Sequence, residues 1–186
     1  MSYLPLPTPE TLTAEQKPIY DALAGGPRGG VRGLFLALLI KPELCDKHQA
    51  LGELLRYRTG FPPRLSELAI LVTARQWDCQ YEWAMHAPIA LKAGLARETI
   101  DAIANNLRPQ NMAADEQDIY EFSLELHRDR NVGEAMHRKI QARFGVVGAV
   151  ELVALLGYYT MTAMTLNGHA IPAPPGATML LPPREG

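Results

Sequence analysis

At 186 residues the chain is long enough for one domain with a substantial core, and its 47% apolar and 20% charged residues are those of an ordinary soluble globular protein. A formal charge of −2, with no cluster of lysine and arginine, excludes the electrostatic footprint of a nucleic-acid binder. The apolar runs 34–40 and 146–156 read as too short or too interrupted for a bilayer, the first ten residues lack the charged and apolar regions of a secretory signal, and two cysteines make no disulfide framework, so the expected setting is the cytoplasm.

Residues 1–12, with prolines at 5, 7 and 9, read as an extended arm. Thr13 and Gln16 stand in capping-box register for a helix over about 14–24. The stretch GGPRGGVRG at 25–33 carries five glycines and two arginines. It reads either as a connector between helices, which composition favours, or as a lid whose Arg28 or Arg32 embraces a carboxylate. It lacks the Gly-Lys-Ser/Thr ending of a phosphate loop. A short apolar helix is predicted over 34–39, and Pro42 opens another that runs to about Thr59.

Residues 62–95 organise the rest. An apolar-rich run from Leu65 to Trp77 predicts a buried helix, Asp78 interrupts it, and a second helix runs from about Cys79 to Gly94. Further helices are predicted over 95–106, from an N-cap at Asp115 to about Arg128, over 132–144 with a stop at Gly145, and over 147–167. The last of these is apolar all round, the pattern of a helix in the core or at a subunit contact. Residues 169–186 hold five prolines and read as a tail in which Met179, Leu180 and Leu181 clasp this subunit or a neighbour. No stretch alternates as a strand does, so the fold class is all-α, with a single domain at 13–168 between the arm and the tail.

Cys79, Glu82 and His86 fall at i, i+3 and i+7, so a thiol, a carboxyl and an imidazole share one helical face. Glu82 and His86 are at i and i+4, the spacing at which a carboxylate orients an imidazole for acid–base work. A surface ion pair is the alternative at that spacing, but Trp83, Ala84, Ala87 and Ile89 mark the helix as largely buried. Cys79 stands at a helix N-terminus, where the macrodipole favours a thiolate. A carboxyl three residues on opposes that, so a packing cysteine is at least as good a reading, and Cys45 is the only other thiol. Arg56, Arg58 and Arg75 are candidates for a substrate carboxylate, each weighed against an ordinary solvated arginine. Tyr158, Tyr159 and Asn167 are candidates for lining a pocket from the last helix. Glu134 and His137 form one E-x-x-H pair without the second that a di-iron bundle needs, so no metal is expected.

The central stretch resembles the carboxymuconolactone decarboxylase family, whose redox branch comprises the AhpD-like alkyl hydroperoxide reductases. The AhpD signature is a glutamate, twelve residues later a C-x-x-C pair, and then x-x-x-H. Glu67, Cys79 and His86 match it, while Glu82 occupies the place of the second cysteine and Tyr81 a place where that branch often has histidine. The run CQYEW, with GPRGGVRG at 26–33, the Arg56–Tyr57–Arg58 segment and GYYTMTAMTLN at 157–167, is similar to a non-redox subgroup; the resemblance covers about residues 12–172. It implies a helical bundle of about seven to nine helices that assembles as homo-trimers or hexamers, with active sites near subunit boundaries. It also implies that Glu67 points into the site rather than serving as a first-turn helix glutamate.

The function expected is that of a cofactor-independent acid–base enzyme, of decarboxylase or lyase type, on a small carboxylated or lactone-like metabolite of the kind found in aromatic catabolism. His86 is the expected proton donor, Glu82 its orienting partner, Glu67 a second carboxyl and Tyr81 the enolate stabiliser. Arg28, Arg32, Arg75, Tyr158 and Asn167 are the expected substrate contacts. The alternatives are a peroxidase working through Cys79 and a non-catalytic oligomeric scaffold.

Overall fold

The computed structural model describes residues 2–26 and 30–183. Among these are eight helices: α1 (Gln16–Ala24), α2 (Leu34–Leu38), α3 (Pro42–Tyr57), α4 (Pro63–Gln76), α5 (Gln80–Lys92), α6 (Arg97–Ala104), α7 (Ala114–Asp129) and α8 (Glu134–Gly168). The described residues contain no strand. The all-α expectation and the number of helices both hold.

The bundle is built around α4. It packs against α5, α6, α7 and α8, and every residue from Leu65 to Arg75 is buried. A helix covered on all sides has no polar face, which is why its sequence reads as a nearly continuous apolar run. The polar groups it does carry must therefore find partners inside. Thr73 Oγ1 donates to the Ala69 carbonyl at 3.0 Å, and Arg75 donates to Asn106 Oδ1 at 3.0 Å and to the Pro182 carbonyl at 3.1 Å.

The α4–α5 corner fixes the approach of the two central helices. Asp78 adopts a left-handed φ of 46°, Cys79 N–H donates to the Ala74 carbonyl at 2.8 Å, and Asp78 N–H donates to Arg75 at 3.1 Å. This is the Schellman arrangement, with aspartate in the place usually held by glycine. Gly94, with φ 96°, closes α5 in the same way.

The predicted boundaries shift where capping decides them. Thr13 and Gln16 make both capping-box bonds, at 3.0 and 3.3 Å, but residues 14–15 form a turn and α1 starts at Gln16. Asp115 is not the N-cap of α7. Ala113 is, because the Glu116 carboxylate accepts its N–H at 2.9 Å, and Asp115 lies in the first turn, where it pairs with Arg64 at 2.7 Å. The two last predicted helices run on within α8, and the break between them falls at Gly145, whose φ of 73° and ψ of 175° are non-helical, where the sequence places the stop.

At 35 residues, with a mean hydropathy of 1.6 over its most apolar window, α8 meets the length and composition of a membrane span, against the reading that no apolar run does. A core helix passes the same test. Its Leu152, Leu155, Leu156, Ala163 and Leu166 are buried where it packs on α3, α4 and α7. Val146, Val147, Val150 and Met164 on its other side are exposed, so the helix is buried on one flank only. The two chain ends are tied to the bundle. Tyr3 N–H donates to the His169 carbonyl at 3.0 Å, and Gln80 exchanges two hydrogen bonds with the buried Leu181, at 2.7 and 3.0 Å. The tail thus clasps its own subunit.

Candidate active site

His86 on α5 faces α4, and Glu67 on α4 faces back. His86 Nδ1 and Glu67 Oε2 are 2.7 Å apart. The other ring nitrogen, Nε2, lies 3.4 Å from Glu82 Oε2, one turn earlier on α5. Glu67, Glu82 and His86 are 4%, 5% and 5% exposed, so neither carboxylate is a solvated surface group. The orienting hydrogen bond therefore comes from Glu67 across the helix interface, while the i, i+4 partner Glu82 makes the longer contact. Arg56 of α3 approaches the second oxygen of Glu67 at 3.9 Å. The edge of Tyr159 meets the imidazole, with centroids 5.1 Å apart and planes at 88°.

The trio constrains its own protons. A neutral imidazole donates from one nitrogen only. With Nδ1–H given to Glu67, Nε2 and the Glu82 carboxylate would face each other as two acceptors unless a proton lies between them. A proton placed between them would relieve that opposition and would stand ready for transfer.

Glu82 and His86 line a cavity of about 80 Å³. Its walls come from Leu34 and Phe35 of α2, Arg56 of α3, Tyr81, Glu82, Met85 and His86 of α5, and Tyr158, Tyr159 and Thr162 of α8, with Gly30 and Arg32 at the loop. Space of this size admits several water molecules or a small organic molecule. Two guanidiniums in the wall of a cavity that also presents Phe35, Tyr81, Tyr158 and Tyr159 favour a small anion.

Tyr81 is held in place by backbone. Gly33 takes φ 49° and ψ −109°, and a Cβ there would lie 2.2 Å from the Tyr81 phenol oxygen. Burial first, and then the Glu82 carboxylate, push the Tyr81 phenol up to about 12, with Arg32 opposing. At neutral pH Tyr81 is a hydrogen-bond donor.

Cys79 is the N-cap of α5 and fully buried, but it does not line the cavity. Its thiol is pushed up to about 12, chiefly by burial and then by Glu82, while the amides of Glu82 and Tyr81 pull the other way. The helix N-terminus does act on the sulfur, and desolvation outweighs it. Cys45 is also a free buried thiol, raised to about 11 by burial, with its Sγ 3.8 Å from the Phe35 carbonyl.

These raised values predict alkaline sensitivity. A thiol or phenol that stays protonated in the fold but ionises near 9.0 or 10.0 when unfolded contributes stability that is complete below about pH 9 and is lost as pH climbs toward the folded value. The urea midpoint should fall by the equivalent of about 2 kcal/mol between pH 8.5 and 10, and Cys79→Ser should flatten the decline. A midpoint unchanged over that interval would contradict the assignment.

Of the other sequence candidates, Arg32 and Tyr158 line the cavity and Arg28 lies outside the described residues. Arg75 lies away from the cavity. Its guanidinium is occupied by Asn106, the Pro182 carbonyl and Asp78, which makes it a latch for the tail. Asn167 also misses the cavity, since its amide donates to the Trp77 carbonyl at 2.7 Å and ties α8 to the α4–α5 corner. Arg58 pairs with Glu53 on the surface. Thr162 escaped the sequence reading, although its position four residues after Tyr158 places both on one face of α8. Among the described residues no group of three His, Cys, Asp or Glu converges as a metal site.

Residues 42–120 match the model of the carboxymuconolactone decarboxylase family. No curated protein sequence matches the chain. Among solved structures, an uncharacterised peroxidase-related protein from Silicibacter sp. TM1040 superposes with a TM-score of 0.81 at 15% identity, covering 97% of this chain and 96% of its own. A second peroxidase-related protein, described as an alkylhydroperoxidase AhpD core, from Ralstonia eutropha JMP134, gives 0.80 at 16% identity, with 99% and 98% covered. The debrominase Bmp8 in complex with 2,3,4-tribromopyrrole gives 0.70 at 11% identity, with 92% of each chain covered. At these identities the likeness establishes the AhpD-like fold.

Proposed function

We propose that this protein, whose residues 42–120 match the carboxymuconolactone decarboxylase family model, is an acid–base enzyme that removes CO₂ from, or moves a proton on, a small carboxylated molecule. The observation that carries the reading is the buried Glu67–His86–Glu82 trio, whose Glu82 and His86 line a cavity that two arginines also line. Arg32 and Arg56 orient the substrate anion. When a carboxylate beside a carbonyl or unsaturated system departs as CO₂, the electron pair of the broken C–C bond becomes an enolate. Tyr81, kept protonated by burial, donates to the enolate oxygen, and the proton between Glu82 and His86 Nε2 passes to carbon. Glu67 keeps the ring in register throughout.

Two neighbours are named peroxidase-related, and a peroxidase reading would make Cys79 the nucleophile. A thiol pushed up to about 12 is ionised to roughly one part in 10⁵ at pH 7, and residue 82 is a glutamate where a resolving cysteine would stand. Both facts weigh toward the acid–base reading.

The test is a panel of small β-keto acids and carboxylated γ-lactones assayed for CO₂ release. Turnover should survive Cys79→Ser and fall at least about 100-fold in His86→Ala. Hydroperoxide turnover with a thiol reductant, abolished by Cys79→Ser, would overturn the proposal in favour of redox chemistry.

A further inference from the structure

Behind the cavity lies a second buried imidazole that the proposed chemistry does not use. His48 of α3 is 4% exposed and stacks on Tyr158, with ring centroids 4.3 Å apart and planes at 25°. Phe35 meets it edge-on at 6.3 Å. Tyr158 in turn packs edge-to-face on Tyr159, which touches His86, so an unbroken line of rings joins the two histidines. His48 Nε2 also lies 3.4 Å from Thr162 Oγ1, and Thr162 lines the cavity.

The protons at Thr162 follow from its neighbours. A hydroxyl has one hydrogen to give and two lone pairs. Thr162 Oγ1 sits 3.0 Å from the Tyr158 carbonyl, which can only accept, so the hydroxyl hydrogen goes there. Turning that hydrogen toward His48 would leave two bare acceptors at the shorter of the two distances. Thr162 Oγ1 consequently accepts from His48 Nε2–H with one lone pair, and the other is left for whatever occupies the cavity. Neither partner can be exchanged easily, because both are buried and the imidazole is clamped between Phe35 and Tyr158.

We infer that Thr162, locked as an acceptor by the Tyr158 carbonyl and the positioning residue His48, is a specificity-determining residue that selects a carboxylate also bearing a hydrogen-bond donor, such as a small hydroxy acid. The inference rests on the proposed carboxylate-binding role of Arg32 and Arg56 and adds the second pole of the substrate. An apolar group at the Thr162 end would leave a buried lone pair unpaired, whereas a hydroxyl would satisfy it. The same contact fixes the imidazole tautomer, with the hydrogen on Nε2.

Isosteric pairs in which methyl replaces hydroxyl isolate this contact. Binding of 3-hydroxypropanoate against butanoate, and of 4-hydroxybutanoate against pentanoate, can be followed by chemical-shift titration of the full chain. The better-fitting hydroxy acid should bind about tenfold more tightly than its methyl partner, although the methyl is the more hydrophobic group. Thr162→Val should reverse the order, Thr162→Ser should keep it, and His48→Phe, which retains the ring stack, should weaken it. Long-range ¹H–¹⁵N spectra of the free protein should show His48 as the Nε2–H tautomer. Carboxylate binding with no preference within either pair, or an Nδ1–H tautomer, would overturn this inference alone. No binding by any of the four probes would overturn the carboxylate reading, and this inference with it.

Discussion

Gly33→Ala should lose about 2–6 kcal/mol of stability and disable the cavity together. Two costs add. The backbone at Gly33 has φ 49° and ψ −109°, a region that side chains with a Cβ enter only under strain. The new methyl would also lie 2.2 Å from both Cζ and the oxygen of Tyr81, far inside van der Waals contact. The Tyr81 ring cannot simply step aside, because it belongs to the buried cluster with Leu34, Phe35, Leu38 and Cys79. Relief must come from moving α2 or rotating the phenol out of the cavity wall. A double-mutant cycle with Tyr81→Ala separates the costs: the steric part should vanish in the pair and the backbone strain should persist. Urea denaturation of the four proteins measures both. A single variant as stable as the wild type would show that the close approach of Gly33 to Tyr81 is not a real constraint.

Replacing His86 by leucine should be the most damaging change among the ionisable side chains. It leaves Glu67 and Glu82 buried without the imidazole between them, a situation that typically costs about 3–5 kcal/mol. Arg56, at 3.9 Å from Glu67 and within the field of Glu82, offsets the two carboxylates only in part. The triple variant His86→Leu, Glu67→Met, Glu82→Met should therefore be more stable than His86→Leu alone, since it removes the stranded charges with the ring. Both should be inactive in any turnover that wild type shows. If His86→Leu melts with the wild type, the trio is not the coupled buried unit described above.

Much of this protein is legible in its sequence because the information is local. The apolar run from Leu65 to Trp77 announces a fully covered helix, and Asp78 and Gly94 mark helix ends through their left-handed conformations. Periodicity places Glu82 and His86 on one face of α5, and the family resemblance adds Glu67. The Thr13–Gln16 capping box is made as written, because its bonds span three residues only. The N-cap of α7 is Ala113 rather than the expected Asp115, whose carboxylate is taken by Arg64, 51 residues away in the chain.

What spacing could not decide is which of several similar groups faces the cavity. Arg32, Arg56 and Arg75 look alike in the chain, yet Arg75 is consumed by the tail and by Asn106, and the other two reach the site. Cys79 carries the favourable helix N-terminus that sequence predicts, and only the packing around it shows burial overruling that field. The chain by itself determined the helices, their ends and the residue types that can exchange protons, because those depend on neighbours within a turn or two. The tertiary structure alone decided that the carboxylate in closer contact with His86 is Glu67 rather than Glu82, and that Thr162 stands in the cavity wall with His48 behind it. Those outcomes depend on distances between side chains far apart in sequence, which are set only when α3, α4, α5 and α8 pack together.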